Sequence, residues 1–249
     1  MIKFFRKIRF NQLKEGKFLN YLKYAVGEII LVVIGILIAV NINNYNEKRK
    51  QRNLQLSIFK IISEDMSSDT LTIHRMKTNF TFLDSVYQKI LAGKMTNDDY
   101  ISCEVCANLV GMHNPHTIKN KGFKMLENYV ENETQLKDSL TADLLTFYNQ
   151  MDDLLIVINE YLKQEVHENL KDWKENHDWF YLNHQERIKN DEYLNYLQSA
   201  DFKNKISMQQ VLVIRNKKGM LDLFNKNAQI LLPRIKKRIN LVSIFISIL

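Results

Sequence analysis

Residues 25–42 read AVGEIILVVIGILIAVNI, a run that water does not solvate as an exposed surface. It carries one charge, Glu28, in its first turn. A bilayer core about 30 Å thick takes about 20 mostly apolar residues as helix, and Tyr24 to Tyr45 supplies that length. A secretory signal has a shorter apolar stretch, about 7 to 15 residues, and a small-residue cleavage site. This run leaves instead through Asn41, Ile42, Asn43, Asn44 and Tyr45, with no A-x-A-like pair. A soluble core helix seldom goes about five turns without a polar face. The sequence therefore predicts an uncleaved transmembrane helix over 24–45, with the lipid bilayer as its surroundings.

Charge sets the expected orientation. Lys3, Arg6, Lys7, Arg9, Lys14, Lys17 and Lys23 precede the span, and Lys48, Arg49, Lys50 and Arg52 follow it. Positive residues favour the cytoplasmic side, so the N-terminus is expected inside and the large remainder outside, in a periplasm where there are two membranes. The formal charge of +7 does not signal nucleic acid. Residues 1–45 hold seven cations against Glu15 and Glu28, whereas the remaining 204 hold 28 cations and 26 anions. The basicity belongs to the arm that meets lipid headgroups, and no basic stripe for phosphates is evident beyond it. In that arm, residues 1–23, Phe4, Phe5, Ile8, Phe10 and Leu13 alternate with Lys and Arg, the pattern of an interfacial amphipathic helix.

Beyond residue 45 there are four glycines (Gly93, Gly111, Gly122, Gly219) and two prolines (Pro115, Pro233). So few breakers argue for long helices. Ile62, Met66, Ile73, Met76, Phe80, Leu83, Tyr87 and Ile90 step by threes and fours, with Asp69 the one lapse. This is a helical stripe that can continue from the span and stops near Gly93. A second runs Leu136, Leu140, Leu144, Phe147, Met151, Leu154, Ile158, Leu162, Val166, Leu170 and Trp173, with Asn132 and Gln135 as a capping pair. A third begins at Ser199 or Asp201, carries Phe202, Ile206, Val213, Met220, Phe224 and Leu231, breaks near Gly219 and stops around Pro233. Shorter helices are expected over 97–110, 118–131 and 184–198. The fold class is all-α: a transmembrane helix (24–45), then an extracytoplasmic bundle with long helices (46–238). The tail 239–249, INLVSIFISIL, follows Arg234, Lys236, Lys237 and Arg238. As helix it reaches about half a bilayer, so it either dips into one leaflet or packs on the bundle.

The opening MIKFFRKIR, with EGKFLNYLKYAVGEIILVVIGILIAVNINNYNEKRK after it, resembles a family of uncharacterised bacterial single-pass inner-membrane proteins. Tyr45 stands where that family usually has Trp. A looser resemblance runs from Pro115 through Gly122 to Phe147 and Tyr148. The resemblance implies an inner-membrane protein with a helical outer domain and no assigned reaction.

Several groups are candidates for chemistry. Glu28 is an intramembrane carboxylate, of a kind often kept for pairing or proton handling, although near the end of a span it can also reach headgroups. Gly27, Leu31, Gly35, Ala39 and Asn43 recur at steps of four, and small residues there let two helices approach. With Glu28 they are the helix-packing candidates, for a second copy or another membrane protein. Cys103, Cys106, His113 and His116 form C-x2-C-x6-H-x2-H. A local disulfide, two free thiols and a zinc site all fit that string. The disulfide is the nearer expectation in an oxidising compartment, because the gap is short for a finger and Pro115 interrupts the second pair. His167, His177 and His184 lie among Trp173, Trp179, Phe180 and Tyr181, either a ligand pocket or a helix junction. Asp152, Asp153, Glu160 and Glu165 read as a hydrated face. No GxSxG, P-loop, HExxH or GxGxxG pattern occurs. The expectation is a non-enzymatic anchored protein with no catalytic residues, cofactor or metal. It would bind a protein partner or sense a ligand; the alternatives are an accessory subunit of an envelope complex, or an enzyme using the Cys/His cluster.

Overall fold

A computed structural model describes residues 18–132, 138–183 and 188–248. Among these residues the structure is helical, without strands. The helices are α1 (Phe18–Leu91), α2 (Asn97–Ser102), α3 (Lys121–Asn132), α4 (Ser139–Asn176), the turn α5 (Trp179–Tyr181), α6 (Asp191–Gln198), α7 (Ala200–Gln210) and α8 (Gly219–Ile248). A 3-10 turn, Cys106–Asn108, lies between α2 and α3, and a π-helical stretch, Val211–Lys218, joins α7 to α8.

The chain divides into two units, Met1–Gln55 and Leu56–Leu249. In the first, the large apolar side chains of α1 from Leu22 onward stay on the surface. Leu31 is 74% exposed, and the most apolar 18-residue window is not buried at all. This helix is long and apolar enough to cross a membrane. Of the basic arm 1–23, residues 1–17 lie outside the described residues, and with them the expected interfacial helix from Phe4 to Leu13.

The second unit has two hydrophobic clusters. The first joins Ile58, Ile62, Met66 and Phe80 of α1 to Leu126 of α3, Leu144 and Met151 of α4, and Phe224 and Ile235 of α8. The second joins Tyr87 and Ile90 to Tyr100, Val110, Trp173, Trp179, Tyr193, Leu197 and Phe202. Val213 and Ile214 of the π stretch pack against both. The α1 stripe runs as its spacing predicts and ends at Gly93, whose φ of 64° suits a residue without Cβ. Gly122 is required for a different reason. A Cβ there would lie 2.6 Å from the Ile62 backbone nitrogen, so only glycine lets α3 approach α1 so closely. Ser199 caps α7 by accepting from the Phe202 N–H at 3.1 Å.

Several expected boundaries shift. The helix expected over 97–110 ends at Ser102, and the one expected from 118 begins at Lys121. The segment between them keeps the one 3-10 turn and is otherwise held by side chains. Asp138 caps α4, accepting from the Thr141 N–H at 2.9 Å; Gln135 of the expected capping pair lies outside the described residues. On α4 the buried stripe passes through Leu155, and Leu154 is 41% exposed. The steps from Met151 to Leu155, Ile158 and Leu162 are four, three and four, which keeps one face. The helix expected from 184 is described from Asp191, and residues 184–187 lie outside the description. Neither Gly219 nor Pro233 breaks the last helix. Pro233 costs about 3 kcal/mol inside a helix, but it is exposed while Leu231 and Ile235 are buried. Burying two such side chains contributes roughly 1.5–3 kcal/mol each, enough to carry α8 through the proline. Of the apolar tail, Ile239 packs on the first cluster. The side chains of 243–248 and all of Leu249 lie outside the description, so neither fate of that tail is assigned.

Candidate functional site

The irregular segment 103–120 is built into place from two long helices. From α1, Asp69 Oδ2 accepts from the Lys119 N–H at 2.7 Å, Ser68 Oγ accepts from Lys119 Nζ at 2.7 Å, and Asp65 Oδ2 accepts from the Gly122 N–H at 2.9 Å. From α4, Asn159 grips both faces of the His116 peptide: Nδ2 donates to its carbonyl at 2.8 Å and Oδ1 accepts its N–H at 3.3 Å. Asn169 Nδ2 donates to the Val110 carbonyl at 3.0 Å, buried. Asp69 is therefore no error in the α1 stripe. It faces inward because a backbone N–H needs an acceptor there. Burial pushes its carboxyl up to about 6, against the lowering hydrogen bond and charge of Lys119.

Beside this segment a cleft of about 470 Å³ opens between α1 and the π stretch. Its apolar walls include Phe80, Leu83, Met112 and Val213, and its polar groups include Glu104, His113, Asn114 and Lys217. Lys217 is only 6% exposed. In the π stretch the buried residues are Leu212 and Lys217, five apart, which is the i→i+5 spacing of that helix. Lys217 Nζ donates to the Asn114 carbonyl at 2.5 Å, and no carboxylate pairs with it among the described residues. Burial lowers its affinity for the proton. The same burial, then the Lys217 charge, lowers the pKa values of His113 and His116. Their Nε2 atoms are both buried without a hydrogen-bond partner. Tyr87, also on the wall, is pushed up to about 12 by burial and by the charge of Asp84, so its phenol stays protonated. A larger hollow of about 580 Å³ is lined by Lys77, Lys218 and Lys226. Its cations reach solvent or are already paired, as Lys218 is with Asp222 at 2.7 Å, so the chemistry singles out the smaller cleft.

The sequence candidates distribute as follows. Cys103 and Cys106 are joined as a disulfide, S–S 2.05 Å. The bond removes both thiolates from a zinc set, and no group of three His, Cys, Asp or Glu that could hold a metal occurs among the described residues. His113 lines the cleft instead, and His116 stands three residues on in the same irregular segment. The aromatic group is a junction with a polar relay. Trp173 Nε1 donates to Tyr196 Oη at 2.7 Å, Tyr196 donates to Asp201 at 3.0 Å, and Lys205 Nζ bridges Asp201 and Asp172 at 2.8 Å each. His177 lies against the Tyr196 ring at 4.5 Å, whereas His167 is exposed; His184 lies outside the described residues. Asp153 and Glu160 are hydrated, but Asp152 and Glu165 are not fully so. Asp152 accepts from Asn120 Nδ2 at 3.3 Å, and burial raises the carboxyl of Glu165. On the span, Gly27, Glu28, Gly35, Ala39 and Asn43 stay on the surface, and a Cβ added at Gly27 or Gly35 would meet nothing within 4 Å.

Lys217 is the residue the stripe passed over. It stands four after Val213 and three before Met220, in register with the apolar face. A lone lysine in such a register is the signal for it, as Asp69 was in α1.

Residues 28–95 match a family of unknown function, DUF6090. The matched stretch holds the apolar span from Glu28 onward and the α1 stripe to just past Gly93, and so the α1 wall of the cleft; Gly27, Glu104, His113 and Lys217 lie outside it. Neither the curated proteins nor the solved structures compared with the chain give a match.

Proposed function

We propose that the chain is a non-enzymatic, single-pass protein of a bacterial inner membrane, whose helical unit binds a ligand outside the cytoplasm. The observation that carries the ligand reading is the cleft: a mixed apolar and polar wall around a nearly buried cation that has no counter-ion among the described residues. Pockets of this volume and mixed lining are where small molecules bind. The exposed apolar span supports the anchor, and the cation bias before it supports the orientation. The Cys103–Cys106 bond fits an oxidising compartment on the far side.

Extraction of the protein with its lipids in a polymer disc, followed by mass spectrometry of the small molecules released on denaturation, tests the ligand reading. Asn79 is an exposed residue of the cleft wall, so Asn79→Trp fills the space without entering the core. Wild type retains a compound that Asn79→Trp loses. Equal retention, or none in wild type, rejects the reading.

A second reading, an accessory subunit of an envelope complex, is favoured by the α4 surface. Leu154, Val157 and Tyr161 form an apolar row at i, i+3 and i+7, all exposed. The open space at Gly27 and Gly35 gives a neighbouring helix room to approach. Gly35→Leu with Ala39→Leu should lower crosslinked product in membranes; an unchanged yield removes the span as the assembly surface.

A further inference from the structure

We propose that the cleft at Lys217 takes a small amphipathic monocarboxylate, with its head on the Lys217 ammonium and its body against the apolar wall. The inference rests on the ligand reading above and names the chemistry of the ligand.

Three observations carry it. First, Lys217 is a built-in cation with spare capacity. An ammonium has three N–H donors, and the structure gives one partner, the Asn114 carbonyl at 2.5 Å. A buried charge left without a counter-ion is unfavourable, and a bound carboxylate supplies both the charge and further acceptors. Second, the other polar groups do not call for more than one negative charge. His113 and His116 are held toward their neutral forms by burial and by Lys217, and Glu104 is exposed on the wall, where it opposes a dianion. The unpartnered Nε2 of His113, a cleft residue, adds a place for a second polar contact to the head. Third, one side of the wall is apolar. Phe80, Leu83, Leu109, Leu162 and Val213 line part of a space of about 470 Å³ whose other lining groups include Asn79, Asn108 and Asn114, which gives a hydrocarbon body a surface to lie on beside the polar head. The position of the lysine is itself set by the fold: the π stretch, a rare element that recurs at functional sites, sets its two buried residues five apart.

The test uses the full chain in nanodiscs of zwitterionic lipid and water-soluble probes read by titration calorimetry. The probes are 4-phenylbutanoate, its neutral amide, octanoate and 3-phenylpropyl phosphate. Both carboxylates bind, and their relative affinity separates an aryl from an alkyl body. The amide binds about tenfold or more weakly, the size expected from losing a charge-assisted hydrogen bond, and the phosphate monoester, mostly dianionic above neutral pH, binds more weakly than the carboxylates. Lys217→Met lowers carboxylate affinity to the amide level and leaves the amide unchanged, whereas Lys217→Arg keeps the preference. Equal binding of acid and amide by wild type, abolished by Asn79→Trp, overturns the carboxylate assignment and leaves the ligand reading standing. No binding of any probe overturns the assignment too, and retention of a compound in the disc experiment then decides the broader reading separately. Should Lys217→Met lose its helical signal, the wild-type comparison of acid with amide and the Lys217→Arg variant decide the matter alone.

Discussion

Asp69 offers a sharp test of how the second unit is held together. Its carboxylate is 4% exposed and accepts the Lys119 N–H at 2.7 Å. Burial raises its pKa from 3.8 to about 6. The folded state therefore holds this proton more tightly than the unfolded chain. The stabilisation from protonation is complete below the unfolded value, and it is lost as pH rises through the folded one. Two pKa units correspond to about 3 kcal/mol in full, of which about 1.4 kcal/mol falls between pH 8 and pH 5. Asn at this position keeps an acceptor for Lys119 and has no charge to desolvate. Asp69→Asn should thus gain on wild type by about 1.4 kcal/mol when the comparison moves from pH 5 to pH 8. Denaturation of the full chain in mild detergent, followed by circular dichroism at both pH values, measures this. The difference between the two proteins cancels the titrations they share. An Asn-minus-wild-type difference that is the same at both pH values would show that Asp69 stays ionised throughout, and the buried-carboxyl reasoning fails.

Three other substitutions probe separate parts of the fold. Gly122→Ala places a methyl 2.6 Å from the Ile62 nitrogen and should cost about 1–3 kcal/mol by overpacking, seen as a lower Tm; an unchanged Tm would mean α3 does not approach α1 so closely. Tyr196→Phe leaves the buried Trp173 Nε1–H without its acceptor and should cost about 1–3 kcal/mol, with a change in tryptophan fluorescence; no effect on either would break the relay. Pro233→Ala restores a helix N–H at an exposed position of α8 and should stabilise by about 1–3 kcal/mol; a loss of stability would show that the proline ring contributes to packing.

Much of the helical architecture was legible because burial follows a 3.6-residue period. The α1 stripe from Ile62 to Ile90, its stop at Gly93 and the Ser199 cap each rest on a local rule that nothing overrides. Pro233 misled because propensity is weak beside the burial of Leu231 and Ile235 on the same helix. Leu154 and Leu155 could not be told apart, since both are apolar and one step changes the face. The 103–120 segment and the start of α3 were illegible as helix or loop because their backbone is satisfied by Asp65, Asp69, Asn159 and Asn169, side chains 43 or more positions away in sequence. The π stretch has no residue signature, so Lys217 showed only as a charge in an apolar register. The cleft follows from these last two features, which is why the site lay beyond the sequence while the helices did not.

The decisive measurement concerns the solvent of residues 24–45 and the side on which Leu56–Leu249 lies. Membranes from cells making the full chain are washed with alkaline carbonate, and intact spheroplasts are treated with protease. The protein should stay with the washed membranes, and the protease should digest the Leu56–Leu249 unit while a lipid-protected fragment containing the span survives. Release by carbonate, or a Leu56–Leu249 unit that the added protease leaves whole until the spheroplasts are lysed, would contradict an anchored protein with its ligand cleft outside.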